Sequence, residues 1–218
     1  MDARTARKKR RQEQTRAEIL AAAREVLDAK GLAKLTLASV ARELQLTKAA
    51  LYYYFSSKEA LLFELLLGAL TREVETVERV LDALVPGGPT ALEAMIRSLA
   101  AHHALHPLDV KLIYLHPQLA TDAAPFDDAM LARLRPLNNR LYGRVAQAVE
   151  AHRQAGQLPP GLPARRLVFL AHTSVVGLAT IQGLVGSADN APLVHSDQAL
   201  VDGLVAQLCA HPLSLGTT

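Results

Sequence analysis

Apolar residues recur at helical spacing along almost the whole chain, and this periodicity constrains its fold more than any other feature. In RAEILAAAREVLDAK, residues 16–30, the apolar side chains of one helix face are Ile19, Leu20, Ala23, Val26 and Leu27. Alternating patterns typical of strands are scarce. Half of the 218 residues are apolar and 21% are charged, as in ordinary globular domains. The sequence therefore predicts an all-α protein with one large or two small domains.

Glycine, proline and capping residues divide this helical pattern into segments. The first helix is expected to end at Gly31, and Thr36 and Thr47 are placed to cap two further short helices. A long helix at about 57–84 precedes PGGP, residues 86–89, which is the clearest break in the chain. Further helices are predicted at about 90–104, 107–118, 127–155, 163–186 and 196–210.

Charge is distributed unevenly between the two ends of the chain. Residues 1–58 contain 13 Lys and Arg against 6 Asp and Glu, whereas residues 59–218 contain 11 against 15. A basic N-terminal quarter favours a module that binds a polyanion. A solvated basic tail fits equally well at this point, because six of the charges lie in RTARKKRR, residues 4–11.

Two features bear on the compartment of the protein. Cys209 is the single cysteine, so an intramolecular disulfide is excluded and a reducing, cytoplasmic setting is expected. No apolar segment follows the basic N-terminus, so a secretory signal is not expected. Residues 167–188 carry no formal charge and are long enough to span a membrane, but His172, Gln182 and several hydroxyls make them polar for a span. We expect a buried or subunit-interface helix there, and no membrane partner.

The second and third short helices are separated only by Gln45, Leu46 and Thr47. This spacing is typical of a helix-turn-helix, whose second helix can enter the DNA major groove, although other helical hairpins share it. The third helix, which is the second helix of this motif, lies in TKAALYYYFSSK, residues 47–58. This segment contains four of the nine aromatic residues of the chain and a lysine near each end.

ILAAAREVLDAKG followed by LTLASVARELQLTKAALYYYFSSKEALL resembles the N-terminal DNA-binding domain of the TetR family of bacterial transcriptional regulators. The resemblance covers residues 16–62 and implies a basic arm at 1–15, a three-helix DNA-binding domain at 16–62, and a larger C-terminal helical bundle at 63–218. Three positions depart from the family pattern. Leu27 stands where the family often has Phe, an apolar exchange of little consequence. Gln45 stands where the family commonly has Gly, which costs about 1 kcal/mol if φ is positive there, and Ala50 stands where a hydroxyl residue is frequent.

The resemblance implies DNA contacts by Thr36, Thr47, Lys48, Ala49, Ala50, Tyr52, Tyr53, Tyr54 and Lys58. Lysine can donate to guanine, and an alanine methyl can pack on a thymine methyl. Tyr52 and Tyr54 are expected at the DNA backbone, and Lys58 and the two threonine hydroxyls at phosphates. Tyr53 fits either a DNA contact or a partly buried position, while Leu51 and Phe55 are expected in the core. The basic arm is expected to lie on the backbone or in an adjacent groove.

In this family the C-terminal domain dimerises and often encloses a small-molecule pocket. The helices at 163–186 and 196–210 are expected to form a homodimer interface, because the first is apolar and contains small residues. Polar groups on apolar faces are the pocket candidates: His102, His103, His106, Tyr114, His116, Asn138 and Tyr142. These histidines also fit structural or surface roles. His102 and His106 have metal-ligand spacing but few carboxylates nearby, so no metal or cofactor is expected.

Enzymatic signatures such as G-x-S-x-G, Walker A, H-E-x-x-H and G-x-G-x-x-G are absent from the sequence, so no enzyme is expected. The sequence predicts a homodimeric repressor that binds a palindromic operator in double-stranded DNA and is released by a small-molecule effector. One alternative is a helix-turn-helix regulator controlled by a protein partner or by no ligand. A second is a helical enzyme or carrier with a basic tail.

Overall fold

All regular secondary structure in the described residues is helical. A computed structural model describes residues 3–115, 127–185 and 197–210 of the chain. Its α-helices are α1 Ala3–Lys30, α2 Leu37–Glu43, α3 Lys48–Tyr54, α4 Lys58–Asp82, α5 Ala91–Leu105, α6 Pro107–Val110, α7 Asp128–Gln154, α8 Ala164–Val185 and α9 Asp197–Ala210. A 3-10 turn at Leu32–Lys34 follows α1, and a π-helical turn at Lys111–Leu115 follows α6. The all-α prediction is confirmed.

The chain forms two compact units, Met1–Gly68 and Ala69–Thr218, and the division between them falls within α4. In the first unit, α1 packs against α2, and α2 packs against α3. Its core consists of Ile19, Ala23, Leu35, Val40, Leu51, Phe55 and Leu61, each at most 2% exposed. Leu51 and Phe55 are therefore core residues, as expected. The functional boundary at 62–63 stays a prediction.

Helix α1 begins at Ala3, well before the expected start at Arg16, so the basic arm is helical over residues 3–15. This stretch, ARTARKKRRQEQT, contains Ala, Arg, Lys, Gln and Glu, which are strong helix formers, and no Gly or Pro. Extending an existing helix avoids the cost of nucleation. The packed part of α1 therefore supports the basic turns that precede it.

The turn between α2 and α3 contains a left-handed residue at the position where the family commonly has Gly. Gln45 has φ of 54°, and no other non-glycine among the described residues has a positive φ. The amide of Leu46 donates to Ala41 O at 2.8 Å and that of Gln45 to Arg42 O at 3.2 Å. These bonds form a Schellman motif, which satisfies carbonyls at the end of α2.

In the second unit, α5 packs against α7, α8 and α9, and α8 packs against α7. Its core consists of Leu92, Met95, Ile96 and Leu99 on α5, Leu141, Val145 and Val149 on α7, and Val168, Ala171 and Val175 on α8. Residues 164–181 of α8 are long and apolar enough to cross a membrane by length and composition alone, with a mean hydropathy of 1.2. Only 28% of that segment is buried, and its exposed apolar side chains include Phe169, Leu170 and Ile181.

Candidate DNA-binding surface and buried polar cluster

Helix α3 has one buried face and one exposed face. Leu51 is fully buried, whereas Tyr52 and Tyr53 are 48% and 70% exposed. Lys48 and Ala49 are also exposed, and the Lys48 ammonium lies 5.7 Å from the centroid of the Tyr52 ring. The structure thus brings a cation, a methyl group and two phenols onto one outward surface.

The caps of α2 and α3 are the two threonines that the sequence predicted. The Thr36 hydroxyl accepts from Ser39 N at 3.0 Å, and the Ser39 hydroxyl accepts in return from Thr36 N at 2.9 Å. The Thr47 hydroxyl accepts from Ala50 N at 3.1 Å. Both threonines are exposed. Because each hydroxyl acts as an acceptor in its cap, its hydrogen stays available to donate to a phosphate.

The other predicted DNA contacts are less exposed or are engaged within the protein. Ala50 and Tyr54 are half-buried. Lys58 is half-buried as well, and its ammonium donates to Leu32 O at 2.9 Å. An ammonium has three donors, so a phosphate contact by Lys58 stays a prediction. Tyr53 is not partly buried, because most of its side chain is exposed, and its hydroxyl accepts from Gln12 Nε2 at 2.7 Å.

Arg16 joins three elements of the first unit, a role that the sequence did not predict. Its guanidinium donates to Tyr54 O at 3.3 Å, pairs with Glu64 Oε1 at 2.9 Å and lies 4.5 Å from the centroid of the Phe55 ring. These contacts connect α1 to the end of α3 and to the start of α4. They hold α3 in place without using its outward face.

A polar cluster is buried in the second unit, and Glu73 of α4 is at its centre. The residue is 0% exposed. Its Oε1 accepts from the Tyr114 hydroxyl at 2.6 Å and from His172 Nε2 at 3.0 Å, and its Oε2 accepts from His103 Nε2 at 3.2 Å. The Tyr142 hydroxyl lies 2.6 Å from His172 Nδ1. We call Glu73, His103, Tyr114, Tyr142 and His172 the Glu73 cluster.

A second buried carboxylate, Asp109 of α6, has a strong cationic partner. Arg72 donates to both of its oxygens, at 2.9 and 3.0 Å. His102 Nε2 lies 3.7 Å from Asp109 Oδ2, which is too far for a hydrogen bond, and His102 Nδ1 lies 3.4 Å from the Thr76 hydroxyl. The His106 ring is 4.7 Å from the His102 ring.

Burial and hydrogen bonding change the acidity of several of these groups. Burial raises the pKa of Glu73, but hydrogen bonds from His103 and His172 outweigh it, so the pKa lies well below its usual range. Burial and the Glu73 charge raise the pKa of Tyr114 and of Tyr142. Burial and neighbouring His106 lower the pKa of His102. Glu73 is therefore ionised at neutral pH, while Tyr114, Tyr142 and His102 are uncharged.

Three of the seven predicted pocket residues, His103, Tyr114 and Tyr142, meet in the Glu73 cluster. His102 is beside Asp109 instead, His106 and Asn138 are exposed and make none of the cluster's hydrogen bonds, and His116 lies outside the described residues. No group of three metal-ligating side chains placed to hold an ion occurs within the described ranges.

Glu73 and His172 are not among the pocket residues predicted from the sequence, although both occupy apolar helix faces. Glu73 stands four residues from each of the buried Ala69 and Val77, and His172 stands four residues after the buried Val168. A charged or polar residue at such a position is the signal that could have identified them.

Comparisons with known proteins agree with this architecture. Residues 19–65 match the family model described as bacterial regulatory proteins, tetR family. No curated protein matches the chain in sequence. Among solved structures, SCO4313, assigned as a regulatory protein, is 20% identical with a TM-score of 0.70, over 93% of this chain and 98% of that chain.

Two other solved structures are similar over most of both chains. FadR from Bacillus subtilis, solved in complex with stearoyl-CoA, is 16% identical with a TM-score of 0.65, over 89% of this chain and 97% of that chain. PfmR from Thermus thermophilus, a TetR family transcriptional regulator, is 18% identical with a TM-score of 0.63, over 91% and 96%. These likenesses show the fold, and the match at residues 19–65 identifies that segment as a domain of the tetR family of bacterial regulatory proteins.

Proposed function

We propose that the protein is a homodimeric repressor that binds a palindromic operator through α3 and is released by a small-molecule effector. The observation that carries this proposal is the outward surface of α3, where Lys48, Ala49, Tyr52 and Tyr53 are exposed within the segment that matches the family model. Repression takes place in the cytoplasm, where the operator is accessible.

The residues of α3 and its caps suit distinct roles at DNA. Lys48 donates to a guanine edge, and the methyl groups of Ala49 and Ala50 pack on thymine. Tyr52 and Tyr54 contact the DNA backbone, and the caps together with Lys58 contact phosphates. The basic turns of α1 at residues 3–15 add affinity that depends on salt but carries little sequence information.

Dimerisation through α8 and α9 fits the exposed apolar side chains of α8. Phe169, Leu170 and Ile181 are 52%, 40% and 47% exposed, respectively. Apolar groups on a helix that is itself part of a bundle core favour burial against a second copy. Two copies related by a two-fold axis would read the two halves of a palindrome.

An effector role for the second unit is supported by the Glu73 cluster, where polar groups from four helices and the π-helical turn converge. The similar FadR of Bacillus subtilis was solved with stearoyl-CoA, so a protein of this fold can hold a small organic molecule. Effector binding releases the operator only if it favours one of two conformations of the protein.

Selection of binding sites from random DNA, followed by gel shift, tests the proposal. We expect an enriched palindrome whose affinity falls steeply with salt concentration. Light scattering should give the mass of a dimer both alone and on the operator. The absence of any enriched site would exclude the repressor function, and a monomer on an asymmetric site would exclude the palindromic arrangement.

A further inference from the structure

Two buried carboxylates among the described residues of the second unit differ in how their charge is compensated. Asp109 and Glu73 are both 0% exposed. Asp109 has the two-point contact from Arg72. Glu73 contacts no Lys or Arg among the described residues, and its hydrogen-bond partners are a phenol and two imidazoles, which are neutral unless a histidine takes up a proton. A buried carboxylate without a fixed cation favours the arrival of a positive charge.

The atoms of the Glu73 cluster that have room for another hydrogen bond are acceptors. Within the described residues, Glu73 Oε1 accepts two hydrogen bonds but Oε2 accepts only the one from His103. A carboxylate has about four acceptor positions. In the His103 tautomer that carries its proton on Nε2 and donates it to the carboxylate, Nδ1 is an acceptor. That atom is buried, on a side chain 1% exposed, and has no hydrogen-bond partner in the part of the chain described.

The rings around Glu73 belong to residues that lie between the core and the surface. Tyr114 is on the π-helical turn Lys111–Leu115, an irregular element that is frequent at functional sites. Tyr142 is half-buried, and its ring centroid lies 5.8 Å from that of Phe169, which is 52% exposed. Aromatic faces attract organic cations, and the attraction is stronger where water is excluded.

We propose that the effector of this protein is an organic cation, a protonated amine or an amidinium on an apolar body, whose N–H groups donate to Glu73 Oε2 and His103 Nδ1. This inference rests on the proposed function and specifies its ligand class. Glu73 has no Lys or Arg partner among the described residues, and neither Glu73 Oε2 nor His103 Nδ1 receives a further hydrogen bond there, whereas such a cation supplies both a charge and N–H donors. An anionic ligand, such as a carboxylate or an acyl-CoA, would instead meet the charge of Glu73 at close range.

A bound water molecule could donate the same hydrogen bonds but would bring no charge. Probes of matched shape therefore separate the two explanations. Phenethylamine and benzamidine carry a positive charge, 2-phenylethanol is neutral, and phenylacetate is negative. Thermal unfolding of the full chain is measured with each probe and with stearoyl-CoA. A cation present at about ten times its Kd should raise the Tm by roughly 3–6 °C, whereas the alcohol and the carboxylate should not.

Glu73→Gln removes the charge with little change in shape and should abolish the response to the cations. Glu75→Gln is the matched control, because Glu75 is exposed on the same helix, and it should respond like the wild type. Near-ultraviolet circular dichroism checks that each variant is folded. The comparison among probes uses the wild-type protein, so it is decisive even if Glu73→Gln does not fold.

Three outcomes would overturn the cation site: stabilisation by phenylacetate or stearoyl-CoA but not by the amines, an equal response in Glu73→Gln, or no response to any probe. None of the three bears on operator binding by the wild-type protein, so the proposed repressor function is tested separately. Cations that stabilise the protein through Glu73 but leave operator affinity unchanged would support the cation-binding site and contradict its role in releasing the operator.

Discussion

Gln12 Nε2 donates a 2.7 Å hydrogen bond to the hydroxyl of Tyr53, across 41 positions of sequence. This bond joins the basic N-terminal half of α1 to the exposed surface of α3. Helical continuity from Ala3 and the bond to Tyr53 together keep the basic turns beside the surface proposed to contact DNA.

Gln12→Ala should therefore weaken operator binding by about two- to tenfold, the equivalent of one exposed hydrogen bond. The salt dependence should become shallower, because fewer phosphate contacts form. Gln14→Ala is the control, since Gln14 Nε2 donates to Glu18 within α1 itself. Fluorescence anisotropy over a salt series measures both effects. Equal behaviour of the two variants would contradict a positioning role for Gln12.

Lys48→Ala should relax the base preference at one or two operator positions, at a cost of about 1–3 kcal/mol for the preferred sequence. Tyr52→Phe removes only a hydroxyl proposed to lie at the DNA backbone, so it should weaken binding to all DNA sequences alike. Binding of each variant to a panel of single-base operator changes distinguishes these patterns. An unchanged preference in Lys48→Ala would show that the base contact was assigned wrongly.

Gln45→Gly should raise the free energy of unfolding by about 0.5–1 kcal/mol. The gain comes from relief of the positive φ of 54° and is reduced by the greater freedom of glycine in the unfolded chain. Gln45→Ala retains a Cβ and should give no such gain. Urea denaturation measures both variants, and equal stability of the two would mean that the turn is not strained by its side chain.

Stability should fall as the pH drops from about 7 to about 5, in part because of His102. Its pKa in the folded protein is lowered by burial and by His106, so the unfolded chain binds more protons than the folded protein in this range. One such group contributes at most about 1.4 kcal/mol per pH unit. His102→Asn retains a polar atom near Thr76 but cannot titrate, so its unfolding free energy should depend less on pH. The same pH dependence in both proteins would exclude His102 as a source.

Ile181→Glu should dissociate the proposed dimer, because it would place an unpaired charge in an apolar interface at a cost of several kcal/mol. Ile181 is 47% exposed in one copy, so the monomer itself should remain folded. Leu131→Glu is the matched control, on α7 at 41% exposure. Light scattering gives the mass of each variant. Dissociation by both changes, or by neither, would count against an interface on α8.

Local patterns predicted much of the first unit. Thr36 and Thr47 cap α2 and α3 through bonds to residues three positions ahead, and Leu51 and Phe55 are buried four positions apart. Such contacts are contained within one turn of helix, so spacing in the sequence reveals them. The sequence pattern predicts the start of α1 too late, because residues 3–15 lack apolar periodicity although most of them have high helix propensity.

The Glu73 cluster depends on contacts that spacing cannot reveal. Glu73 and His172 are 99 positions apart, and Tyr142 reaches the same imidazole from α7. The helices, their caps and their apolar faces are predictable from the sequence alone, because they depend on neighbours within a turn or two. Which polar residues on those faces meet is seen in the folded structure, because the packing of separate helices sets which side chains share a buried space.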